Sequence, residues 1–387
     1  MAKVDSDTAH MPTSECIQKL NDYLAECKHA LVKKPICHVV IGNEAADLDS
    51  MASSIMYGLY AAVGNTDDYR RFIPVINIPR SDFPLRYGTA YLFGAVGIDV
   101  SALLFIDEID LGKLYNSNRL KLTLIDHNVL DSDQAQYAGV VEAIIDHHVD
   151  AGHYPHARPR TIEPVGSAAT LVAEAILKDQ PSLIDAGTAT LLLGTILLDT
   201  VNLSPDAKRV TPKDEAVAAR LCKIAGRDPT ALFETLRAER FNLTSLGTND
   251  LLRKDYKEWQ TATARYGIST VLTPLADWIA RDPDILAGLD AYVRSRSLDC
   301  LVAMIAYTGS DGAFHRELVV LVPDQALRAC LVALLHTSGL GLRSYDPPGL
   351  PPSERLICFV SEPTVSRKTL QPVLDQFFAA DNNEDRA

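Results

Sequence analysis

The sequence lacks the features that indicate a secreted, disulfide-stabilised or membrane-spanning protein. Its seven cysteines are an odd number, and none forms a C-x-x-C pair, which favours free thiols in a reducing compartment. The segment from Met1 to Asp22 has no apolar core of the signal-peptide type, and the apolar stretch from Tyr87 to Ile106 is interrupted by Asp99 and by glycines. We therefore expect a soluble, cytoplasmic protein.

The chain also lacks a surplus of positive charge. Its formal net charge is −13, whereas general binding to nucleic acid duplexes or to anionic membranes requires a broad basic surface. An anionic small substrate is still compatible with this charge, provided that local lysines, arginines or metal ions receive it. We therefore expect neither a nucleic acid duplex nor a membrane as a partner. The oligomeric state stays open, with a monomer favoured.

The composition is that of an ordinary globular protein, and the chain is long enough to form two hydrophobic cores. Of the 387 residues, 47% are hydrophobic and 22% are charged. Strand-like and helix-like runs alternate, which predicts an α/β fold whose N-terminal sheet is mostly parallel with helices on both faces. We predict an N-terminal domain at 1–241, a linker at 242–250 and a smaller C-terminal α/β domain with a mixed sheet at 251–387. The active site is expected in the cleft between the domains.

Periodicity places the individual elements. In the first domain the predicted strands are Ile36–Gly42, Phe72–Ile78, Ala102–Ile109, Leu120–Ile125 and Val140–Ile145. The predicted helices there are Asp49–Val63, Pro84–Val96, Ser167–Leu177 and Ile184–Leu198, followed by helical segments from Pro212 to Arg240. In the second domain we predict strands at Gly267–Leu272, Leu301–Tyr307, Leu318–Val322 and Leu356–Val360, and helices at Asp284–Arg294, Gln325–Leu335 and Ser366–Phe377.

Acidic and histidine side chains follow several predicted elements of the first domain. Asp47 and Asp49 come after the first strand, D-H-N at 126–128 and D-H-H at 146–148 follow two later strands, and Asp199 ends an apolar run. A lone aspartate at such a position is usually a turn former or a helix N-cap. Four clusters are harder to explain in this way, because α/β sheets place their sites at the carboxyl ends of strands. The pattern predicts a two-metal site suited to phosphoryl transfer.

The motifs also occur in a specific order. G-N-E-A-A-D-L-D-S is followed by L-I-D-H-N, I-I-D-H-H, G-S-A-A-T and L-L-D-T, and the last third contains R-K-D-Y-K-E-W and S-R-K-T-L-Q-P. This order resembles the DHH phosphoesterase superfamily. The two later motifs are similar to the DHHA2-type second domain of family II inorganic pyrophosphatases, eukaryotic exopolyphosphatases and prune proteins. Asn43 stands where the pyrophosphatases carry histidine, so the resemblance favours exopolyphosphatases and prune proteins.

Position by position, the resemblance implies a role for individual residues. The metal ligands would be Asp47, Asp49, Asp126, His147 and Asp199, with Asp126 shared by two ions. The catalytic group would be His148, Asp126 and His147, with His148 beside the substrate and able to help protonate the leaving phosphate. The substrate contacts would be Lys257, Arg367 and Lys368, which grip phosphate, together with Asn128 and His127 near the site.

The implied activity is that of an exopolyphosphatase, which hydrolyses terminal phosphoanhydride bonds of inorganic polyphosphate and releases orthophosphate by means of a two-metal-activated water. Because imidazole suits manganese or cobalt better than an amide does, Asn43 should favour Mg²⁺ as the cofactor, with Mn²⁺ as the alternative. Two other interpretations stay open. One is an inorganic pyrophosphatase or a short-chain or nucleotide phosphohydrolase, and the other is a prune-like regulatory protein that acts by binding partners.

Overall fold

The chain divides into two units, Met1–Asn242 and Leu243–Ala387, each with its own sheet. The computed structural model describes residues 13–30, 35–239, 246–309 and 312–379. Part of the predicted linker, at 242–245, lies outside the described residues. The end of the predicted linker is helical, since a helix begins at Thr248.

The first unit is built around a parallel sheet. Its described strands are β1 (Ile36–Ile41), β2 (Arg70–Val75), β3 (Leu120–Ile125), β4 (Val141–Asp146) and β5 (Arg160–Ile162). They pair in the order β2-β1-β3-β4-β5, and each of these pairings is parallel. The described helices are α1 (Glu15–Ala30), α2 (Leu48–Gly64), α3 (Tyr87–Val96), α4 (Leu111–Asn116), α5 (Ala168–Asp179), α6 (Ala186–Asp199), α7 (Pro212–Ala225) and α8 (Pro229–Glu239).

Helices cover both faces of this sheet. Val39 and Ile41 of β1 belong to an apolar cluster that includes Cys27 of α1 and Leu111 of α4. Val40, between them, belongs to the other cluster, which contains the buried faces of α2, α5 and α6. Successive side chains of a strand point to opposite faces, so the two clusters lie on opposite sides of the sheet. The predicted parallel sheet with helices on both faces is confirmed.

The predicted strand at 102–109 is wrong. Phe105 forms an isolated parallel bridge with Ile76, and Ile106–Glu108 turns into a 3₁₀ helix. Leu103 and Phe105 are nevertheless buried. A short apolar run indicates that a segment is buried but not that it is a strand. Here the segment is buried because it packs beside the sheet, without forming a strand of it.

The second unit contains a mixed sheet, which confirms that prediction. Its described strands are β6 (Tyr256–Gln260), β7 (Arg265–Val271), β8 (Cys300–Thr308), β9 (Phe314–Leu321), β10 (Arg343–Tyr345) and β11 (Leu356–Ser361). Their order is β10-β11-β9-β8-β7-β6, and among the described strands β7 and β8 pair in parallel while the other pairs are antiparallel. The helices described in this unit are α9 (Thr248–Arg253), α10 (Leu275–Arg281), α11 (Ile285–Arg296), α12 (Gln325–Thr337) and α13 (Arg367–Ala379).

None of the described helices combines the length and the apolar character that are needed to cross a lipid bilayer.

Candidate metal centre

One edge of the first sheet collects the polar side chains that the sequence singles out. The segment after β1 carries Asp47, Asp126 follows β3 directly, and His147 follows β4 directly. The strands are parallel, so their carboxyl ends meet at the same edge. A cavity of about 490 Å³ at this edge is lined by all five residues predicted as metal ligands, Asp47, Asp49, Asp126, His147 and Asp199.

Asp126 has the most constrained position in this cavity. Its backbone is left-handed, with φ of +62°, a conformation that aspartate adopts more readily than most residues. Its Oδ2 accepts hydrogen bonds from the Ser50 hydroxyl at 2.6 Å and from the Asn43 amide nitrogen at 2.8 Å. Its Oδ1 is buried and lies 3.1 Å from Nε2 of His147, and no described donor other than the His147 ring is in position to form a hydrogen bond with it. One carboxylate oxygen is thus fixed by the protein and the other faces the cavity.

His147 is oriented as a metal-binding histidine. Its Nδ1 lies 3.0 Å from the carbonyl oxygen of Val165, which requires Nδ1 to donate. Its Nε2 then faces the carboxylates, 3.1 Å from Asp126 and 3.8 Å from Asp49. Burial opposes protonation of the ring, but the adjacent Asp126 and Asp49 carboxylates raise the pKa of His147 to about 10. These oxygens favour a positive charge at Nε2, and a metal ion satisfies the same requirement.

Two further carboxylates lie beside Asp126: Asp49 is buried and Asp199 is half-buried. Burial and the charge of Asp126 raise the pKa of Asp49 above its usual value. Burial and the charges of Asp49 and Asp47 raise the pKa of Asp199 well above its usual value. The Oδ2 of Asp199 is buried and has no hydrogen-bond partner among the described residues. Anionic oxygens gathered in this way repel one another, and divalent cations are the partners that would stabilise them.

Two of these aspartates also cap helices. The Asp47 side chain accepts a hydrogen bond from the backbone nitrogen of Ser50 and caps α2. Asp49 accepts hydrogen bonds from the backbone nitrogens of Ala168 at 2.6 Å and Ala169 at 2.8 Å, so it holds the first turn of α5. The capping explanation and the metal-binding explanation therefore apply to the same side chains, because a carboxylate has lone pairs for both.

Asp146, the first residue of D-H-H, was not among the predicted site residues. It is fully buried, and its Oδ1 accepts hydrogen bonds from the backbone nitrogen of His147 at 2.8 Å and from Nδ1 of His148 at 2.8 Å. The hydrogen bond to Asp146 raises the pKa of His148 above its usual value. Asp146 therefore orients His148 and leaves its Nε2 for a ligand. The position of Asp146 in the D-H-H motif was the one feature of the sequence that could have indicated this role. The burial that makes it an orienting residue could not be read from the sequence.

Asn128 and His127 lie behind the cavity rather than in its described wall. The Asn128 amide group is buried, donates to Asp146 and to the carbonyl of Val149, and accepts from the backbone nitrogen of Ala151. His127 contacts the carbonyl of Ile125 through Nδ1 at 2.9 Å. Asn128 therefore ties the segment after β3 to the chain around D-H-H, whereas the contact of His127 is within its own segment.

The three cations predicted in the second unit differ in their surroundings. Lys257 on β6 and Lys368 in the first turn of α13 are exposed. Arg367 is partly buried and pairs with the Asp255 carboxylate at 2.5 Å and with the Thr270 hydroxyl at 2.8 Å. Arg367 therefore ties α13 to β7 and to the residue that precedes β6, while the two lysines keep their charges at the surface.

The donor set at the cavity fits divalent cations. Ligand atoms of Asp126, His147 and His148 lie within 4.8 Å of one another. Asp126 and Asp199 each present a buried carboxylate oxygen that has no described hydrogen-bond donor other than the His147 ring. Carboxylate oxygens with one or two imidazoles suit Mg²⁺ and Mn²⁺.

The chain is similar to several known proteins. Residues 38–198 match the DHH family, N-terminal domain, and residues 234–377 match the DHHA2 domain. Exopolyphosphatase PRUNE1 of Homo sapiens is 35% identical over 370 residues, covering 93% of this chain and 80% of that protein. A manganese-dependent inorganic pyrophosphatase of Methanothrix thermoacetophila is 26% identical over 272 residues, covering 69% of this chain and 80% of that protein. A solved structure, the putative family II inorganic pyrophosphatase of Methanococcus jannaschii, has a TM-score of 0.40 and 21% identity, covering 88% of this chain and 99% of that chain.

Replacing Asp126 with asparagine tests the metal centre. Asparagine tolerates the left-handed backbone but carries no charge. We expect the metal-free variant to have a Tm close to that of the wild type, because relief of the repulsion with Asp49 and Asp199 offsets the lost attraction to His147. Its affinity for Mn²⁺ or Mg²⁺ should fall by about 100-fold or more, and the metal-induced rise in Tm should disappear. Calorimetric titration and scanning calorimetry, each with and without metal, measure both effects.

Asp185→Asn is the matched control, because Asp185 caps α6 and its replacement leaves the described cavity wall intact. This variant should bind metal like the wild type. Unchanged metal affinity in Asp126→Asn would contradict the assignment of the cavity.

Proposed function

Because this chain belongs to the DHH family and carries a DHHA2 second domain, we propose that it is an exopolyphosphatase. It would hydrolyse the terminal phosphoanhydride bond of inorganic polyphosphate and release orthophosphate. The observation that carries the proposal is the convergence of four aspartates and two histidines on one cavity, with buried oxygens of Asp126 and Asp199 that have no described hydrogen-bond donor other than the His147 ring. The 35% identity to a protein named exopolyphosphatase supports the choice of substrate.

The cofactors in this proposal are two divalent cations, with Mg²⁺ preferred and Mn²⁺ as the alternative. Their ligands would be Asp47, Asp49, Asp126, His147 and Asp199. Bound there, they would neutralise phosphate charge and make a water molecule more acidic, which is the chemistry that phosphoryl transfer requires. Asn43 contributes by donating from its amide nitrogen to Asp126 at 2.8 Å, and so orients a carboxylate. The oxygen-rich donor set supports the preference for magnesium.

His148 is proposed to protonate the leaving phosphate. Its side chain is 56% exposed, and its Nδ1 is held by Asp146, so Nε2 is the ring nitrogen available to a substrate. Asp146 would keep this geometry, in the manner of carboxylates that orient catalytic histidines.

The exposed Lys257 and Lys368 are proposed to bind substrate phosphates, because neither contributes a described contact that the fold of the second unit needs. Arg367 is proposed to add a charge to the same group of cations while it holds Asp255. Charge-assisted hydrogen bonds from lysine and arginine are the usual protein contacts of phosphate oxygens.

A second candidate function is inorganic pyrophosphatase activity. The 26% identity to a manganese-dependent inorganic pyrophosphatase favours it, and the same metal ligands would serve it. A regulatory protein that only binds its partners is the third candidate, and it would leave the cavity without turnover.

One assay panel separates these functions. We expect orthophosphate release from long-chain polyphosphate with a higher kcat/KM than from pyrophosphate, with Mg²⁺ supporting turnover, because the proposed second-unit cations would bind phosphates beyond the terminal one. Pyrophosphate, tripolyphosphate, long-chain polyphosphate and a cyclic nucleotide would be compared, each with Mg²⁺ and with Mn²⁺. Asp126→Asn, prepared identically, controls for contaminating phosphatases. A preference for pyrophosphate would support the pyrophosphatase, and no release from any substrate would leave only a binding role.

His148→Gln tests the proton donor. We expect kcat to fall by about 100-fold, because the leaving phosphate loses its acid, while metal affinity stays near that of the wild type. Asp146→Asn should lower kcat in the same direction, and the double variant should be no worse than His148→Gln, because both act on one imidazole. Loss of metal binding in His148→Gln would instead identify His148 as a ligand.

Lys257→Gln and Lys368→Gln test the second-unit cations. Each should raise KM for tripolyphosphate by about tenfold with little effect on kcat or Tm, because an exposed lysine contributes charge but little packing. Steady-state kinetics and thermal melting provide the measurements. Arg343→Gln, which removes an exposed charge from β10, is the control. Equal KM values in wild type and both lysine variants would show that these residues do not contact the substrate.

A further inference from the structure

The segment between α6 and α7 carries two cations that the proposed mechanism does not use. Lys208 and Arg209 line the same cavity as Asp126 and His147. Both are exposed, and neither side chain makes an ion pair or hydrogen bond with another described residue. Surface lysines and arginines are usually solvated, so their position needs a second observation before it indicates a function.

That observation is a fully buried carboxylate that fixes this segment. Asp214, in the first turn of α7, accepts hydrogen bonds through Oδ2 from the backbone nitrogen of Thr211 at 2.8 Å and from that of Gly166 at 2.9 Å. Its Oδ1 accepts from the Thr170 hydroxyl at 2.6 Å. Thr211 is two residues after Arg209, so Asp214 fastens the cationic segment to the start of α5.

Gly166 makes this attachment close. A Cβ at Gly166 would lie 2.4 Å from Cγ2 of Thr200 and 3.0 Å from the carbonyl oxygen of Arg209. These distances leave no room for a side chain, so the backbone of Arg209 packs directly against Gly166. Val165, the preceding residue, accepts the hydrogen bond from His147. Lys208 and Arg209 are therefore held against the segment at 165–166, which also orients His147, a proposed metal ligand.

The charges at the cavity indicate what the cations would bind. Its described wall contains four carboxylates, Asp47, Asp49, Asp126 and Asp199, together with Lys208 and Arg209. Two divalent ions would balance the four negative charges, and the lysine and arginine would then make the loaded cavity positive. A positive, fixed site of this kind selects an anion, and guanidinium and ammonium groups are good donors to phosphate oxygens.

We propose that Lys208 and Arg209 form a second phosphate-binding position of the metal cavity, for the phosphoryl group next to the one that reacts, with Asp214 as their positioning residue. This inference rests on the proposed function and assigns further substrate-binding residues to the same cavity. The first unit would by itself select condensed phosphates with two or more phosphoryl groups over phosphate monoesters.

The test uses the full chain with both lysine and arginine neutralised, Lys208→Gln with Arg209→Gln. Methylenediphosphonate, which resists hydrolysis, serves as the binding probe in calorimetric titrations with Mg²⁺ or Mn²⁺, and tripolyphosphate serves as the substrate. We expect probe affinity to fall and KM to rise by about tenfold or more, with metal affinity unchanged and kcat within about twofold of the wild type. Lys223→Gln with Arg227→Gln removes the same charges from exposed positions of the first unit outside the described cavity wall, and should change none of these values.

Asp214→Asn separates positioning from folding. It should raise KM for tripolyphosphate with kcat and metal affinity retained, whereas a merely structural loss would lower the active fraction and hence kcat without changing KM. The double variant at 208 and 209 changes exposed side chains, so it tests the proposal even where Asp214→Asn fails to fold.

The outcomes distinguish this inference from the proposed function. Equal probe affinity in the wild type and the 208/209 double variant would overturn the second phosphate position while leaving hydrolysis intact. Probe binding by the wild type that the double variant loses, without hydrolysis of any condensed phosphate, would support the position and overturn the proposed function. A metal-loaded wild type that does not bind the probe would overturn the second phosphate position, and orthophosphate release from polyphosphate would still decide the proposed function separately.

Discussion

The first unit has to hold several carboxylates close together at the carboxyl end of its sheet, although these groups repel one another. Asp49, Asp126 and Asp199 are gathered there, and their burial and mutual repulsion raise the pKa values of Asp49 and Asp199. Amide and hydroxyl donors offset part of this cost at Asp49 and Asp126. Such an arrangement lowers the free energy of unfolding of the metal-free protein. It is usual at sites that bind a cation or catalyse a reaction.

The first sheet and its carboxylate edge could be predicted because the relevant information is local. Asp126 and His147 directly follow β3 and β4, Asp47 lies in the segment after β1, and the parallel pairing of these strands brings their carboxyl ends together. Asp49 and Asp126 therefore lie in one cavity although 77 positions separate them (126 − 49). The segment at 102–109 shows the limit, since its apolar run reports burial but not pairing.

The rest of the site depends on contacts between distant helices, which no local pattern encodes. Asp214 bonds to Gly166 across 48 positions, and Asp49 bonds to Ala168 across 119. These contacts exist only once α2, α5 and α7 have packed. They also decide which surface cations border the cavity, so Lys208 and Arg209 look like ordinary loop residues in the sequence.

The hydrogen bonds of Asp49 have a broader consequence. One carboxylate anchors the first turn of α5 against α2 and also borders the cavity where cations would bind. Position 49 is therefore pleiotropic, because a substitution there would alter both the attachment of α5 to α2 and the proposed binding of cations in the cavity.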